Sequence, residues 1–197
     1  MLEPLILVGH RGTGKSTLGR ALAERLDLPF LDLDLRFEER HGPISSFVAN
    51  RGWPAFRTLE SSLLTELRRL PCVIACGGGV IEATANRECL NTLGTVIHLV
   101  ANEEILIRRM LTDPGRPPLE LGAGVAAETR SALGRRLPLF RAVATHEIDT
   151  GTGDFEVCLA RLVALALRPR LCLSIGSVPN DLVLELLASP PREAGCL

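Results

Sequence analysis

The sequence predicts an α/β fold in which a parallel β-sheet lies between two layers of helices. Short apolar runs, typical of buried strands, alternate with segments of helical periodicity along the 197 residues. The five strand-like runs are residues 4–8, 29–34, 72–76, 95–100 and 146–150. Parallel strands need crossover connections, which helices commonly supply. We therefore predict a three-layer sandwich around a five-stranded parallel sheet.

Leucine spacing predicts two of the helices. In residues 16–26, leucines recur every four positions. In residues 59–70, four leucines are spaced so that they share one helix face: Leu59, Leu63, Leu67 and Leu70. The stretch "TDPGRPPLELGAG" at 112–124 is instead rich in glycine and proline, so we expect a mobile loop there.

Composition limits the classes of partner and compartment. The formal net charge is −1, so no excess of positive charge favours nucleic acid or an anionic membrane as a partner. No apolar run approaches the ~18 residues that a membrane span needs, and the first ten residues lack the basic start of a signal peptide. The six cysteines are scattered without a repeated C-x-x-C pair, which favours reduced thiols. We expect a cytoplasmic protein.

Residues 9–16, "GHRGTGKS", complete the pattern G-x-x-x-x-G-K-[ST], which binds the phosphates of nucleotides. The glycines let successive backbone N–H groups turn toward one anion, and the helix that follows adds the positive end of its dipole. Lys15 would place a charge on the outer phosphates, and Ser16 would bind magnesium. The motif follows an apolar strand and opens a helix, which is the context such a loop requires. We therefore predict a nucleoside triphosphate site.

Two carboxylates follow the second apolar run. Asp32 and Asp34 are two residues apart, so in a strand both side chains would lie on the same side. That side lies at the carboxyl edge, where α/β sheets bind ligands. One carboxylate would hold magnesium through water while the other faces an acceptor hydroxyl. The alternative is that both cap the next helix.

Three consecutive glycines follow the third apolar run, where nucleotide hydrolases usually carry a magnesium-binding aspartate. They are Gly77, Gly78 and Gly79. Their large conformational entropy cost suggests a place where the backbone closely approaches a ligand. A plain loop would have the same composition.

Three arginines are candidates for binding anionic groups: Arg57, Arg116 and Arg136. Phosphoryl transfer depends on positioning and on charge stabilisation, so cationic side chains on a closing loop are expected. The planar guanidinium also suits a substrate carboxylate. Taken alone, each arginine is more commonly a solvated surface residue than a ligand-binding one.

Taken in order along the chain, these motifs resemble shikimate kinase. The resemblance covers about residues 4–168 and rests on "GHRGTGKST", "DLD", "FRTLE" at 56–60, "GGG", "RPP" in the loop and "RRLPLF". It implies a P-loop NTPase-like sandwich with strand order 2-3-1-4-5 and a mobile lid over the site. It also implies phosphorylation of the 3-hydroxyl of shikimate, with ATP as co-substrate and Mg²⁺ as cofactor, by a kinase domain that acts as a monomer.

The resemblance also implies a role for each matching residue. The ATP phosphates would be cradled by residues 12–17, namely Gly12, Thr13, Gly14, Lys15, Ser16 and Thr17. Magnesium would be held by Ser16 and, through water, by Asp32. Shikimate would be bound by Asp34, Gly77, Gly78 and Gly79, and its carboxylate would be bound by Arg57 and Arg136.

Three residues would take part in the reaction itself. Lys15 and, from the lid, Arg116 would stabilise the charge of the phosphates, and Asp34 would accept the proton of the attacking hydroxyl. Arg109, seven residues before Arg116, would flank the adenine. The lid reads Arg116-Pro117-Pro118 where the family commonly has Arg-Pro-Leu. A second proline would stiffen the loop and alter its closing rate more than its chemistry.

Two other functions share part of this pattern. A gluconate kinase would have the same phosphate loop, but would not be expected to combine it with the "DLD", "FR" and "GGG" set. A regulatory domain that binds shikimate without turnover would be expected to have lost the lysine, an aspartate or a substrate arginine, all of which are present here.

The C-terminal stretch differs in composition from the rest. We assign residues 1–168 to the kinase domain and residues 169–197 to an extension. The extension reads as an apolar strand, a turn and a helical stretch, and resembles the opening of a type I 3-dehydroquinate dehydratase barrel. A packed C-terminal embellishment is the alternative to such a truncated second domain.

Overall fold

The computed structural model describes residues 3–67, 69–112, 124–151 and 154–172, with the side chains of the last helix described to residue 167. Its five strands are β1 Leu5–Val8, β2 Phe30–Asp32, β3 Val73–Ala75, β4 Thr95–Val100 and β5 His146–Asp149. They form one sheet in the order β2-β3-β1-β4-β5, and every pair is parallel. The predicted fold class and the strand order implied by the resemblance are both confirmed.

Seven helices lie between and after the strands in the described part of the chain. They are α1 Lys15–Leu26, α2 Leu33–His41, α3 Ile44–Thr65, α4 Thr84–Leu93, α5 Glu103–Leu111, α6 Val125–Val143 and α7 Phe155–Cys172. A short 3₁₀ turn, Val80–Glu82, follows the glycine trio. None of the described helices is both long enough and apolar enough to span a bilayer.

The sheet separates two apolar cores. Because successive side chains of a strand point to opposite faces, Leu5 and Leu7 pack with α1 and α7, whereas Ile6 and Val8 pack with α3, α4 and α6. A third cluster joins α2 to α3 around Phe37. With both faces covered, the sheet can bind ligands at the carboxyl ends of its strands.

The second strand is shorter than the sequence predicts. It ends at Asp32, so Asp34 lies in the first turn of α2 and not in the strand. The Asp32 carboxylate accepts hydrogen bonds from the backbone N–H groups of Asp34 and Leu35, at 3.0 and 3.3 Å. This is an N-cap, and it starts the helix where the alternating pattern suggested that the strand continues.

The helix predicted over residues 59–70 is also different. It belongs to α3, which begins at Ile44, is interrupted at Gly52 and ends at Thr65. Leu67 still packs against a core, but Leu70 is 63% exposed. Pro71 disfavours helical backbone at Leu70, so the leucine spacing extends beyond the helix.

At the C-terminus, the backbone of α7 is helical to Cys172 and therefore passes the predicted boundary at residue 168. A strand is thus excluded up to Cys172, and residues 173–197 lie outside the described part of the chain. The four described cysteines, Cys72, Cys76, Cys89 and Cys158, are free thiols, as the sequence predicts.

Candidate active site

The phosphate loop connects β1 to α1 at the carboxyl edge of the sheet. Gly12 and Gly14 have φ angles of +84° and +86°, which side-chain-bearing residues rarely adopt. Gly14 is the N-cap of α1 and has no side chain with which to cap it. The first N–H groups of the helix are therefore available to an anion at the positive end of the helix dipole.

Lys15 is held inside this loop. Its Nζ donates to the backbone carbonyls of Gly9 and His10, each at 2.9 Å, and the Thr13 hydroxyl donates to the same His10 carbonyl at 2.8 Å. Lys15 is also the only lysine among the 197 residues, where the other basic side chains are arginine and histidine. The loop thus fixes one compact positive charge beside the amides that face the phosphates.

A hydrogen-bond network supports the loop from outside. Arg109 on α5 donates to the carbonyl of Gly12 at 3.0 Å and to the carbonyl of Thr150 at 2.8 Å. The Thr150 hydroxyl donates to the carbonyl of Thr13 at 3.0 Å. Sequence reasoning missed Thr150, because it lies 137 positions from Thr13 and belongs to no motif. Arg109 is accordingly a support of the loop, and its contact with adenine stays a prediction.

Ser16 and Asp32 form an oxygen pair at the start of α1. The Ser16 hydroxyl donates to Oδ2 of Asp32 at 2.5 Å, while Oδ1 of Asp32 caps α2. Hydroxyl and carboxylate oxygens are the hard ligands that Mg²⁺ prefers, usually with several waters and substrate phosphates completing the coordination. The donor set therefore fits the predicted magnesium site.

One cavity of about 480 Å³ contains most of the predicted nucleotide-binding residues. Its lining consists of most of the loop, the start of α1, Asp34 of α2 and residues near α5, β5 and α7: Arg11, Gly12, Thr13, Gly14, Lys15, Ser16, Thr17, Leu18, Asp34, Arg109, Thr150, Phe155 and Cys158. Asp34 thus shares the cavity with the loop although it lies on α2 and not in the predicted strand.

The glycine trio connects this cavity to a second cluster. A Cβ at Gly77 would collide with the Glu60 carboxylate and lie 3.0 Å from Oδ1 of Asp34, and one at Gly79 would collide with the guanidinium of Arg57. A Cβ at Gly78 would lie 3.4 Å from the backbone N atom of Arg11, in the phosphate loop. The trio is therefore packed closely against protein groups on three sides, and its predicted approach to a ligand stays a prediction.

The second cluster, which we name the acid-binding cluster after the role predicted for its two arginines, contains Arg57, Glu60, Glu82 and Arg136. Arg57 donates from Nη1 to Glu60 at 2.7 Å, and its guanidinium lies 5.1 Å from the ring centre of Trp53. Arg136 is 4% exposed and donates from Nε to Oε1 of Glu82 at 2.8 Å. Two guanidinium groups from α3 and α6 are thus brought to one place, as their predicted shared role requires.

Sequence reasoning missed both glutamates of the cluster. Glu60 lies one helical turn after Arg57, within the quoted "FRTLE", and this i,i+3 spacing was the available signal. Burial raises the pKa of Glu60, while the nearby Arg57 opposes the rise. Its Oε1 atom is buried without a hydrogen-bond partner. Glu82 is placed by the turn after the glycine trio, for which no motif gives a signal.

His10 is a buried titratable group inside the phosphate loop. Its Nδ1 lies 2.9 Å from the carbonyl of Arg11, and its Nε2 is buried without a partner among the described residues. Burial lowers the pKa of His10 to about 4. The positive charges of Arg136, Lys15 and Arg11 act in the same direction, so the imidazole is neutral near pH 7.

Comparison with known proteins agrees with this geometry. The family model for shikimate kinase matches residues 11–165. The chain belongs to the shikimate kinase family. A shikimate kinase of Syntrophus aciditrophicus is 38% identical over 177 residues, covering 83% of this chain and 89% of that protein. Shikimate kinase 2 of Pectobacterium carotovorum is 37% identical over 170 residues, covering 85% and 98%.

Solved structures give the same family. A shikimate kinase from Acinetobacter baumannii in complex with shikimate is 36% identical, with a TM-score of 0.80, and covers 87% of this chain and 96% of that one. A gluconokinase from Sinorhizobium meliloti is 20% identical with a TM-score of 0.52, a likeness that shows a shared fold alone. The gluconate kinase alternative is therefore not favoured.

Of the three predicted catalytic residues, Arg116 is the one that the structure does not describe. It lies with most of the predicted lid in residues 113–123, outside the described part of the chain. Its role at the transferred phosphate stays a prediction.

Proposed function

We propose that this chain transfers the γ-phosphoryl group of ATP to the 3-hydroxyl of shikimate, with the residues of the phosphate loop and the acid-binding cluster in the roles given below. The products are shikimate 3-phosphate and ADP. Family membership supports the reaction, and the positions of the side chains support the roles.

The observation that supports these roles best is the arrangement around the glycine trio. Gly78 packs on the phosphate loop, Gly77 on Asp34, and Gly79 on Arg57. A small acid bound against the trio would have its carboxylate near the arginines and its ring hydroxyls near Asp34. The acceptor oxygen would then face the γ-phosphate, which is the positioning that phosphoryl transfer mainly requires.

In the proposed reaction, the loop amides and Lys15 bind the β- and γ-phosphates and stabilise the charge that moves to the leaving oxygen. The 3-hydroxyl oxygen forms the new bond to phosphorus as the bond to the β-phosphate oxygen breaks. Asp34 accepts the hydroxyl proton. Arg57 and Arg136 hold the substrate carboxylate, which fixes the ring relative to the phosphate.

Ser16 and Asp32 would hold Mg²⁺ beside the loop. When bound, the ion neutralises charge on the β- and γ-phosphates. Within the chain, the hydrogen bond between Ser16 and Asp32 and the N-cap made by Asp32 keep both oxygens in place.

The experiment that tests the proposal measures ADP release with ATP and Mg²⁺ against shikimate, gluconate and no acceptor. We expect turnover with shikimate, and we expect Asp34→Asn to lower kcat by about a thousandfold because the proton acceptor is lost. Asp27→Asn is the matched control, since Asp27 is exposed at the end of α1 and asparagine tolerates its φ of 53°.

Four results would contradict the proposal or the role it gives to Asp34. ADP release without an acceptor would indicate an ATPase, and preference for gluconate would indicate a different substrate. Binding of shikimate without turnover would indicate a regulatory domain. Equal losses in Asp34→Asn and Asp27→Asn would mean that Asp34 has no specific role.

We also propose that the kinase domain is a cytoplasmic monomer and that the extension at residues 169–197, whose first four residues complete α7, contains the start of a second, dehydroquinate dehydratase-like domain. The tail proposal is supported by the change of composition after residue 168. A native polypeptide of 197 residues in the source cells would contradict it.

A further inference from the structure

Glu82 connects the two arginines of the acid-binding cluster. Its Oε1 accepts from Nε of Arg136 at 2.8 Å, and its Oε2 lies 3.7 Å from Nε of Arg57. One carboxylate therefore lies between the two guanidinium groups to which the proposed function assigns the carboxylate of the substrate. Within the part of the chain that the structure describes, the Glu82 carboxylate forms hydrogen bonds or ion pairs with these two arginines alone.

The contacts of Glu82 are unequal, and its side chain is accessible. The 3.7 Å separation from Arg57 exceeds hydrogen-bond distance, whereas Glu60 binds the same guanidinium at 2.7 Å and is 4% exposed. The Glu82 side chain is 38% exposed. Of the two glutamates, Glu60 is thus the built-in partner of Arg57, and Glu82 is the one that can leave.

The backbone of Glu82 is fixed while its side chain has room to move. Its N–H donates to the carbonyl of Gly79 at 3.0 Å, and its carbonyl accepts from Arg87 at 2.9 Å. A change of side-chain rotamer can therefore move the carboxylate into solvent without moving the glycine trio.

The charge balance favours such a movement. Arg57 and Arg136 contribute two positive charges, and Glu60 and Glu82 contribute two negative charges, with Asp34 close enough to raise the pKa of Glu60. A substrate carboxylate would add a further negative charge to a cluster that is already neutral. The carboxylates of the substrate and of Glu82 would repel each other if both lay between the two arginines, and such repulsion is strongest away from bulk water.

We propose that Glu82 is an internal competitor of the substrate, occupying the carboxylate-binding position until an acid displaces it. This inference rests on the proposed function, because it takes Arg57 and Arg136 as the groups that bind the carboxylate of shikimate. Glu82 thereby sets how strongly the enzyme binds its acceptor and restricts the site to acids that can displace a carboxylate.

The test compares ligand binding to the wild type, Glu82→Gln and the control Glu88→Gln. Glutamine keeps an oxygen that can accept from Arg136 but removes the charge, and Glu88 is an exposed glutamate on α4. Trp53 is the only tryptophan and packs on Arg57, so its fluorescence reports binding. The ligands are shikimate and methyl shikimate, which has no carboxylate charge, and ADP release from wild-type protein is measured in parallel.

We expect Glu82→Gln to lower the Kd of shikimate about three- to fivefold and to leave the Kd of methyl shikimate unchanged. The KM of shikimate should fall by the same factor with kcat unchanged, and Glu88→Gln should match the wild type. Thermal unfolding of each variant checks that the fold is intact.

Weaker shikimate binding in Glu82→Gln would overturn the inference, because Glu82 would then be a support that orients the arginines. An unchanged Kd, or equal tightening of both ligands, would overturn it as well. In each of these cases the wild type still phosphorylates shikimate. A wild type without that activity would instead overturn the proposed function, and the inference with it.

Discussion

The two ends of the active site are built in different ways. At the phosphate loop, the ligand-facing groups are mostly backbone amides, and the single lysine is held by backbone carbonyls. In the acid-binding cluster, the groups proposed to face the substrate are side chains from α3 and α6, which form ion pairs with Glu60 and Glu82. One end is formed by a continuous segment, and the other is assembled from elements far apart in sequence.

This difference has a physical consequence for substitution. Backbone amides cannot be removed by mutation, so the phosphate end is sensitive mainly through Lys15 and the conformation of the glycines. The acid-binding cluster depends on a balance of four charges, so one substitution changes the environment of all of them. We therefore expect changes in the phosphate loop to affect kcat and changes in the cluster to affect shikimate binding.

The largest effect is expected for Lys15→Met, which keeps the length of the side chain and removes its charge. We expect kcat to fall by about a thousandfold, because one preorganised positive group at the transferring phosphate is lost. Steady-state ADP release measures the change. Arg25→Met, which removes an exposed charge from the last turn of α1, should retain activity. An effect of Lys15→Met on the KM of shikimate alone would contradict the division between the two ends.

A second prediction concerns the stability of the phosphate end. Because the pKa of His10 is lowered from 6.5 to about 4, the folded protein binds fewer protons than the unfolded chain between these pH values. The stability that neutral His10 contributes to the folded protein is therefore fully present above pH 6.5 and is lost as the pH falls toward 4. Its loss lowers the free energy of unfolding by about 3 kcal/mol.

Urea unfolding of the wild type and His10→Asn between pH 7 and pH 4 measures this effect. Burial lowers the pKa of His98 as well, and raises that of Glu60, so the difference between the two proteins isolates His10. The variant should lose less stability on acidification. His41→Asn, at an exposed histidine, is the control. If the free energies of unfolding of wild type and His10→Asn fall in parallel as the pH is lowered, the imidazole does not titrate as expected.

The smallest of these three effects is expected for Gly79→Ala, which tests the acid-binding cluster. The new methyl group would collide with the guanidinium of Arg57 and displace it from the substrate carboxylate. We expect the KM of shikimate to rise about tenfold, the equivalent of ~1.4 kcal/mol, with kcat changed less. Gly134→Ala is the matched control, because nothing lies within 4 Å of its added Cβ. An unchanged KM in Gly79→Ala would contradict the placement of the carboxylate beside Arg57.

The same division explains how much could be predicted from the sequence. The phosphate loop is contiguous, so its residues and its place between β1 and α1 followed from one motif. The five strands followed from apolar runs, because a sheet buried on both faces needs them. The strand order came only from the resemblance, since periodicity within a strand says nothing about its neighbours.

The remaining features depend on tertiary contacts. The N-cap at Asp32 moved Asp34 from the predicted strand into α2, because a local hydrogen bond overrode the alternating pattern. Arg57 and Arg136 were predicted as a pair, but the glutamates that form ion pairs with them were not. Thr150 supports the phosphate loop from a position that only the folded sheet brings near it.

The single lysine in the phosphate loop also makes this enzyme selectively addressable by amine chemistry. An acylating reagent would find Lys15 as the one side-chain amine in the 197 residues, at the floor of the nucleotide cavity. Bound phosphates would shield that amine, so acylation mapped to Lys15, and not to the α-amino group of the chain, would report sites that hold no nucleotide. Acylation of Lys15 would thus measure the fraction of enzyme that holds nucleotide, whichever acceptor is supplied.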